Sequence, residues 1–409
     1  MQVTDLLTKK KILVITLGYP HPRRGASSVL FYCYLDALRK SDFSVEHLLL
    51  VPSDELSEQA EDEYIKSISP GNSFRVRSFA VPTARKVNIV GFGLRACDLP
   101  CDVFSHVKLF QPDAVICFDI LAAEFARRMQ LEQLLIWLGD LSFQTCVYHA
   151  YYDFKTNPRK IARLLLSFLF SLYWKGFYSD ILRNQQHIIV SSGSSVATLN
   201  RMGIASRYWP YPWPAQISNG STVIKHSTPS FILFGSLVGL GSRSAFDFLL
   251  KSIYPLLLRN WGPQGFSILL AGMYELPVWV QADIERRPEF KFLGFVNDLR
   301  DEVARSHAVL APISVPVGNR SRIVTAMSMG ALVIAHANTA LGNPALVSGD
   351  NCLLASSAIE FSQHMRLAYE SPDLAAKLGA SAMNTYKKSF LPEAASQRLV
   401  QELSLILSR

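Results

Sequence analysis

Two arginines, Arg320 and Arg322, stand in a polar loop, Gly318-Asn319-Arg320-Ser321-Arg322. A short helical pattern follows over 323–329, and Gly330 comes where a left-handed residue caps a helix. Free N–H groups at a helix start favour an anion. Guanidinium adds charge-assisted contacts to a phosphate, bidentate where the geometry allows. These residue types in this order predict a phosphate-bearing ligand at a helix N-terminus. They also fit a plain solvated helix start, and both readings stand on spacing alone.

The elements around the loop suit the first reading. Residues 309–311 and 331–335 are short apolar runs of the buried parallel-strand type. The unit is therefore strand, loop, helix, strand, loop, and the last loop carries His336, Asn338 and Gly342. In open α/β sheets, ligands bind beyond the carboxyl ends of the strands, where both loops lie. The chain opens in a similar way. An apolar run at 11–16 leads into a loop holding Arg23, Arg24 and Gly25, then a helical pattern over 29–40. No G-x-G-x-x-G occurs there, so a dinucleotide fingerprint is not predicted. Further strands are expected at 45–51, 74–81 (an edge strand by its alternation) and 134–138. An exposed helix is expected over 54–63. Asp119 and Asp140 each end an apolar run; the carboxylate of Asp140, at a strand end, suits a hydroxyl-bearing ligand and a helix cap equally.

The stretch 318–335 resembles the donor-site signature of retaining GT-B glycosyltransferases of the group 1, or family 4, type. Gly318, Arg320, Arg322, Ile323, Ala326, Met327, Gly330, Val333, Ile334 and Ala335 fit a pattern G-x-R-x-K-I-x-E-A-(M/L)-x-x-G-x-P-V-V-A. Arg322 replaces the usual Lys and Leu332 the usual Pro. Thr325 stands where a Glu normally binds the donor ribose. Residues 231–237 resemble the first donor-domain strand with its glycine turn at Gly235, where Ser236 replaces the common Arg; Arg243 lies later in that loop. Residues 290–296, with Phe295, resemble the element that meets the nucleotide base. Gly139-Asp140 resembles a His-Asp pair with the His replaced.

The resemblance implies an α/β fold of the GT-B kind: two Rossmann-like domains facing a cleft, with a C-terminal helix crossing back to the first domain. The expected parts are an acceptor-side domain over 1–214, a linker over 215–228, a donor domain over 229–390 and the crossing helix over 391–409. The implied activity is transfer of a sugar, with retention, from a nucleotide sugar to a glycan or lipid-linked acceptor. Cell-surface polysaccharide or glycoconjugate synthesis is the implied setting. Arg320, Arg322 and Asp140 become catalytic candidates. Gly235, Ser236, Arg243, Phe295, Gly318, Asn319, Thr325, His336, Asn338 and Gly342 become donor-side candidates. Gly25, Asp119 and Asp140 become acceptor-side candidates. No cofactor or metal is expected, since Asp-x-Asp is absent and arginines can carry the charge. A non-catalytic GT-B relative that binds a sugar nucleotide or partner protein is one alternative reading. A sugar-nucleotide epimerase is another.

Composition sets the outer bounds. The 409 residues suffice for two full cores, and 49% hydrophobic content excludes a disordered chain. The net charge of +8 suits an anionic partner. It is spread along the chain, which disfavours nucleic acid. Six cysteines without metal or redox spacing, and no signal-peptide pattern, lead to the expectation of a cytoplasmic protein. Residues 155–174 place Lys155, Arg159, Lys160 and Arg163 before or within a nearly unbroken apolar run too short to span a bilayer. A buried helix of the first domain is the leading expectation. Contact with an anionic membrane surface is the alternative.

Overall fold

The computed structural model describes residues 9–23, 25–81, 100–216, 223–296, 298–318 and 320–408. The first half holds β1 (Lys11–Leu17), β2 (Ser44–Pro52), β3 (Phe74–Val81), β4 (Ala114–Phe118), β5 (Leu134–Leu138), β6 (His187–Val190) and β7 (Arg207–Tyr208). They pair in parallel in the order β3-β2-β1-β4-β5-β6-β7. The second half holds β8 (Ser230–Phe234), β9 (Ser267–Ala271), β10 (Phe290–Gly294), β11 (Ala308–Ala311), β12 (Val333–His336) and β13 (Leu353–Ala355). Their order, β10-β9-β8-β11-β12-β13, repeats the first pattern. Each sheet therefore reverses direction beside its first strand, which opens a crevice at the carboxyl ends there.

The strands form because both of their faces are covered. Every residue of β4, β5, β8 and β9 is buried, as expected for sheets clad by helices on both sides. Alternate residues serve different cores. Ile12 and Val14 share an apolar cluster with Ile232, Phe234, Leu399 and Leu403. Leu13 and Ile15 point into a second cluster, and Phe231 and Leu233 into a third. β3 stands at the sheet edge, where its alternation placed it. The exposed helix expected over 54–63 runs over Glu58–Ile68 and buries Tyr64 and Ile68.

The last helix, Pro392–Leu407, packs against the first, Ala26–Arg39. The Ser396 hydroxyl donates to the Cys33 carbonyl at 3.4 Å. Glu402 meets His187 Nδ1 at 2.9 Å and pairs with Arg207, so a residue of the last helix ties down β6 and β7.

One expectation fails. The 155–174 stretch is the end of the Ser142–Thr156 helix, a tight turn at Pro158–Lys160 and most of a helix at Ile161–Leu182. In that last helix only Ser167, Tyr178, Ile181 and Leu182 are buried. The apolar run is not core: its partner helix covers one side and leaves the other to solvent.

Candidate active site

The Ser321–Ser328 helix seals the floor of the cleft between the two sheets. Ile323, Val324, Ala326 and Met327 are all buried, which fixes the helix on the sheet. That anchoring aims its N-terminus, with Arg320 as the capping residue, at the space between the domains. The Arg320 side chain is itself only 4% exposed. Its Nη2 donates to the Val315 carbonyl at 2.6 Å, while its Nε finds no partner. Arg322 donates through Nη2 to the Ser236 carbonyl and the Ser242 hydroxyl, each at 3.0 Å. Its Nη1 is also buried without a partner. Burial pushes both guanidiniums down to about 10, and Arg320 adds its repulsion to Arg322. Both remain cations at neutral pH. A buried cation, Arg320, and a half-buried one, Arg322, each with one buried N–H group unmet beside a helix N-terminus, form a site for an anion.

Gly318 makes this geometry possible. Its φ is +103°, and a Cβ there would lie 2.9 Å from Arg320 Nη1 and 3.5 Å from Asp140 Oδ2. Gly318 thus approaches the Asp140 carboxylate, so this loop of the second domain comes close to the end of β5 across the cleft. Asp140 is open to cleft water on one side and crowded by protein on the rest. Crowding raises its pKa, Arg320 and the Gly318 N–H oppose the rise, and Asp119 adds to it. Asp119 ends β4 beside Asp140 and caps the next helix through the Ile120 N–H at 2.6 Å. Its backbone, at φ 87° and ψ 161°, lies in a region otherwise kept for glycine.

The cleft has a volume of about 1120 Å³. Gly25, Asp140, Gly235, Ser236, Gly318, Arg320, Arg322 and Thr325 line it together. Other candidates lie elsewhere. Arg243 sits on the Leu240–Phe248 helix and donates to Asp153 of the first domain at 2.7 Å. It ties the domains together instead of replacing a loop cation. Phe295 is 57% exposed and stacks on Tyr274 at 5.1 Å, away from this lining. His336 packs on Phe248 and accepts the Asn338 N–H on Nδ1, so its proton sits on Nε2. The Asn338 side chain donates to the Ser314 carbonyl. Gly342 faces Ser192 of the first domain, closing one flank of the seam. Asp119 is neighbour to the lining but not part of it. Asn319 and Arg24 lie outside the described residues.

Four further residues matter that the sequence alone did not single out. Trp213 donates its indole N–H to Thr325 Oγ1 at 2.8 Å. The hydroxyl expected to face a ribose thus already has a partner. Thr145 and His149 line the cleft, and Asp153 follows four residues on, one face of the Ser142–Thr156 helix. Burial and the charge of Arg243 push His149 below its ordinary value. Helical spacing of Thr145, His149 and Asp153 was the signal available for this set. A second cavity, of about 260 Å³, lies between Lys225, Arg300 and Pro372. It is remote from the crevices at the strand ends and small for a ligand pocket.

Residues 228–371 match the family model described as Glycosyl transferases group 1. The second domain is a group 1 glycosyltransferase domain. No curated protein matched the chain. Among solved structures, HepE from Anabaena in complex with UDP and glucose is similar, with a TM-score of 0.64 and 14% identity over 97% of this chain and 99% of that one. Sucrose-phosphate synthase from Thermosynechococcus elongatus gives 0.62 and 13% over 98% and 100%. WaaG, a glycosyltransferase involved in lipopolysaccharide biosynthesis, gives 0.59 and 14% over 95% and 99%. These likenesses establish the fold as GT-B. The group 1 domain contributes both arginines and Gly235 to the cleft, and the first domain contributes Asp140, Thr145 and His149.

Proposed function

We propose that the protein transfers a sugar from a nucleotide-sugar donor to an acceptor hydroxyl. One observation carries this: two guanidiniums, each with a buried N–H group left unmet, on the cleft floor of a group 1 glycosyltransferase domain. A nucleoside diphosphate fits them by charge, and HepE, of the same fold, holds UDP. As the anomeric C–O bond breaks, negative charge grows on the departing diphosphate. Arg320, Arg322 and the helix N-terminus stabilise it there, so the reading needs no metal. The acceptor oxygen bonds to the anomeric carbon from the same face, giving retention, and its proton passes to the departing phosphate oxygen. Asp140, with Asp119 beside it, holds the acceptor hydroxyl near the anomeric carbon. The acceptor in this reading is a glycan or lipid-linked sugar of a cell-surface polymer, met at an anionic membrane surface.

The test is titration of nucleoside diphosphates and donor turnover in wild type and Arg320→Ala. Turnover should fall by about two orders of magnitude in the variant, with weaker nucleotide binding. A folded wild type that binds no nucleoside diphosphate at millimolar concentration would overturn the reading. Binding without turnover on any acceptor would favour the non-catalytic alternative.

A further inference from the structure

The Ile161–Leu182 helix turns a continuous apolar stripe to solvent. Leu165, Leu169 and Leu172 are 61%, 63% and 67% exposed, and Ile161 and Phe168 complete the stripe at helical spacing. From 161 to 172 it runs about 17 Å. Arg159 and Lys160 sit at its start and hold no ion pair among the described residues. Lys155 and Arg163 flank them. Among the described residues, no helix is long and apolar enough to cross a membrane. A helix with an apolar face and a basic end lies in the plane of a bilayer surface, the face among acyl chains and the cations at headgroups.

The same region reaches the cleft. Asp153 accepts Arg163 Nη1 on one oxygen at 2.6 Å and Arg243 Nη1 on the other at 2.7 Å. Arg163 belongs to the exposed helix. Arg243 belongs to the second-domain helix whose first residues, Leu240 to Ser242, line the cleft. Burial would raise Asp153, but the two guanidiniums overcome it and hold the carboxylate below its ordinary value. Lys155 and Asp247 make a second tie across the same seam.

We propose that this face docks on an anionic lipid bilayer and that Asp153 transmits the docking to the cleft. Lipid phosphates compete with Asp153 for Arg163. Once Arg163 turns to the headgroups, both oxygens of Asp153 are free for Arg243, and the tie between the domains tightens. A bilayer suits the surface better than a second copy of the chain. The carboxylates that Arg163 and Lys155 reach, Asp153 and Asp247, are already paired, and a copy of this face would bring more basic charge. The transmission, though not the docking, rests on the transferase reading of the cleft.

The experiment is co-sedimentation with phosphatidylcholine vesicles, with and without phosphatidylglycerol, at low and high salt. Binding should require phosphatidylglycerol and weaken with salt. Arg159→Ser with Lys160→Ser should weaken it about tenfold or more. Leu165→Gln with Leu169→Gln and Leu172→Gln, all at exposed positions, should abolish it. Absence of binding, or binding that both variants leave intact, overturns the docking. So does concentration-dependent dimerisation that the leucine variant abolishes without any vesicle binding. Nucleoside diphosphate affinity should then rise about fivefold or more on vesicles, and by reciprocity nucleotide should raise vesicle affinity by the same factor. Asp153→Asn should keep vesicle binding and lose that gain; a gain that survives Asp153→Asn overturns the transmission. Vesicle binding with no nucleotide binding under either condition overturns the transferase reading and the transmission with it, and leaves the docking standing.

Discussion

At Asp119 a side chain keeps a backbone conformation that favours glycine. At φ 87° and ψ 161° it costs about 1–3 kcal/mol. The cap it supplies to Ile120 loses only a few tenths of a kcal/mol when glycine takes its place. Strain therefore exceeds the cap. Asp119→Gly should raise stability by about 1 kcal/mol in denaturant unfolding while lowering sugar transfer. A variant that is less stable, or equally active, would show that the carboxylate serves the fold and not the acceptor. Arg320 and Arg322 stood out in the sequence because they fall in the signature that 318–335 resembles; their spacing alone left a solvated helix start equally open. Arg243 was not legible. Its partner Asp153 lies 90 residues away in sequence, and no local pattern announces an ion pair of that separation.

The connecting segment from Trp209 to Gln216 works as a strap. The Trp213 N–H donates to the Phe390 carbonyl at 2.8 Å, and the Tyr386 hydroxyl donates to the Trp213 carbonyl at 2.7 Å. Its indole holds Thr325, and Arg300 holds the Gln216 carbonyl at 3.0 Å. From the sequence, Thr325→Glu would tighten nucleotide binding or leave it unchanged. The strap reverses that expectation. A glutamate here puts a longer, charged side chain at a buried position and removes the hydroxyl that the indole N–H holds. Thr325→Glu should lower stability by about 1–3 kcal/mol and weaken nucleoside diphosphate binding, with Trp213→Ala in the same chain restoring part of both. Thermal unfolding and nucleotide titration of the single and double variants check this. The strands were legible because parallel sheets buried on two faces write long apolar runs. The exposed face of Ile161–Leu182 was not, because an apolar run reads the same against protein, lipid or water.

Across the whole molecule, acid should loosen the fold through His47. It is fully buried on β2, between Thr16 Oγ1 and the Tyr64 hydroxyl, each at 2.8 Å. Burial pushes it down to about 3. An unfolded histidine takes its proton near 6.5, so below that pH the unfolded state binds a proton the folded state refuses. Stability should fall by about 1.4 kcal/mol per pH unit from about 6.5 towards about 3, or roughly 2 kcal/mol by pH 5. His336, His149 and His307 shift in the same direction and steepen the loss. Urea unfolding at pH 7 and pH 5 should show this, and His47→Gln should remove one proton's share of the slope. The crossing helix bears on how the chain is made. Leu399, Leu403 and Ile406 fill the core under β1, and Glu402 clamps β6 and β7. A ribosome delivers those residues after the strands of both sheets, so the first domain waits, partly open, for the helix over Pro392–Leu407. A premature stop near residue 391, or a protease cut there, should spoil the distant N-terminal half more than the half it interrupts.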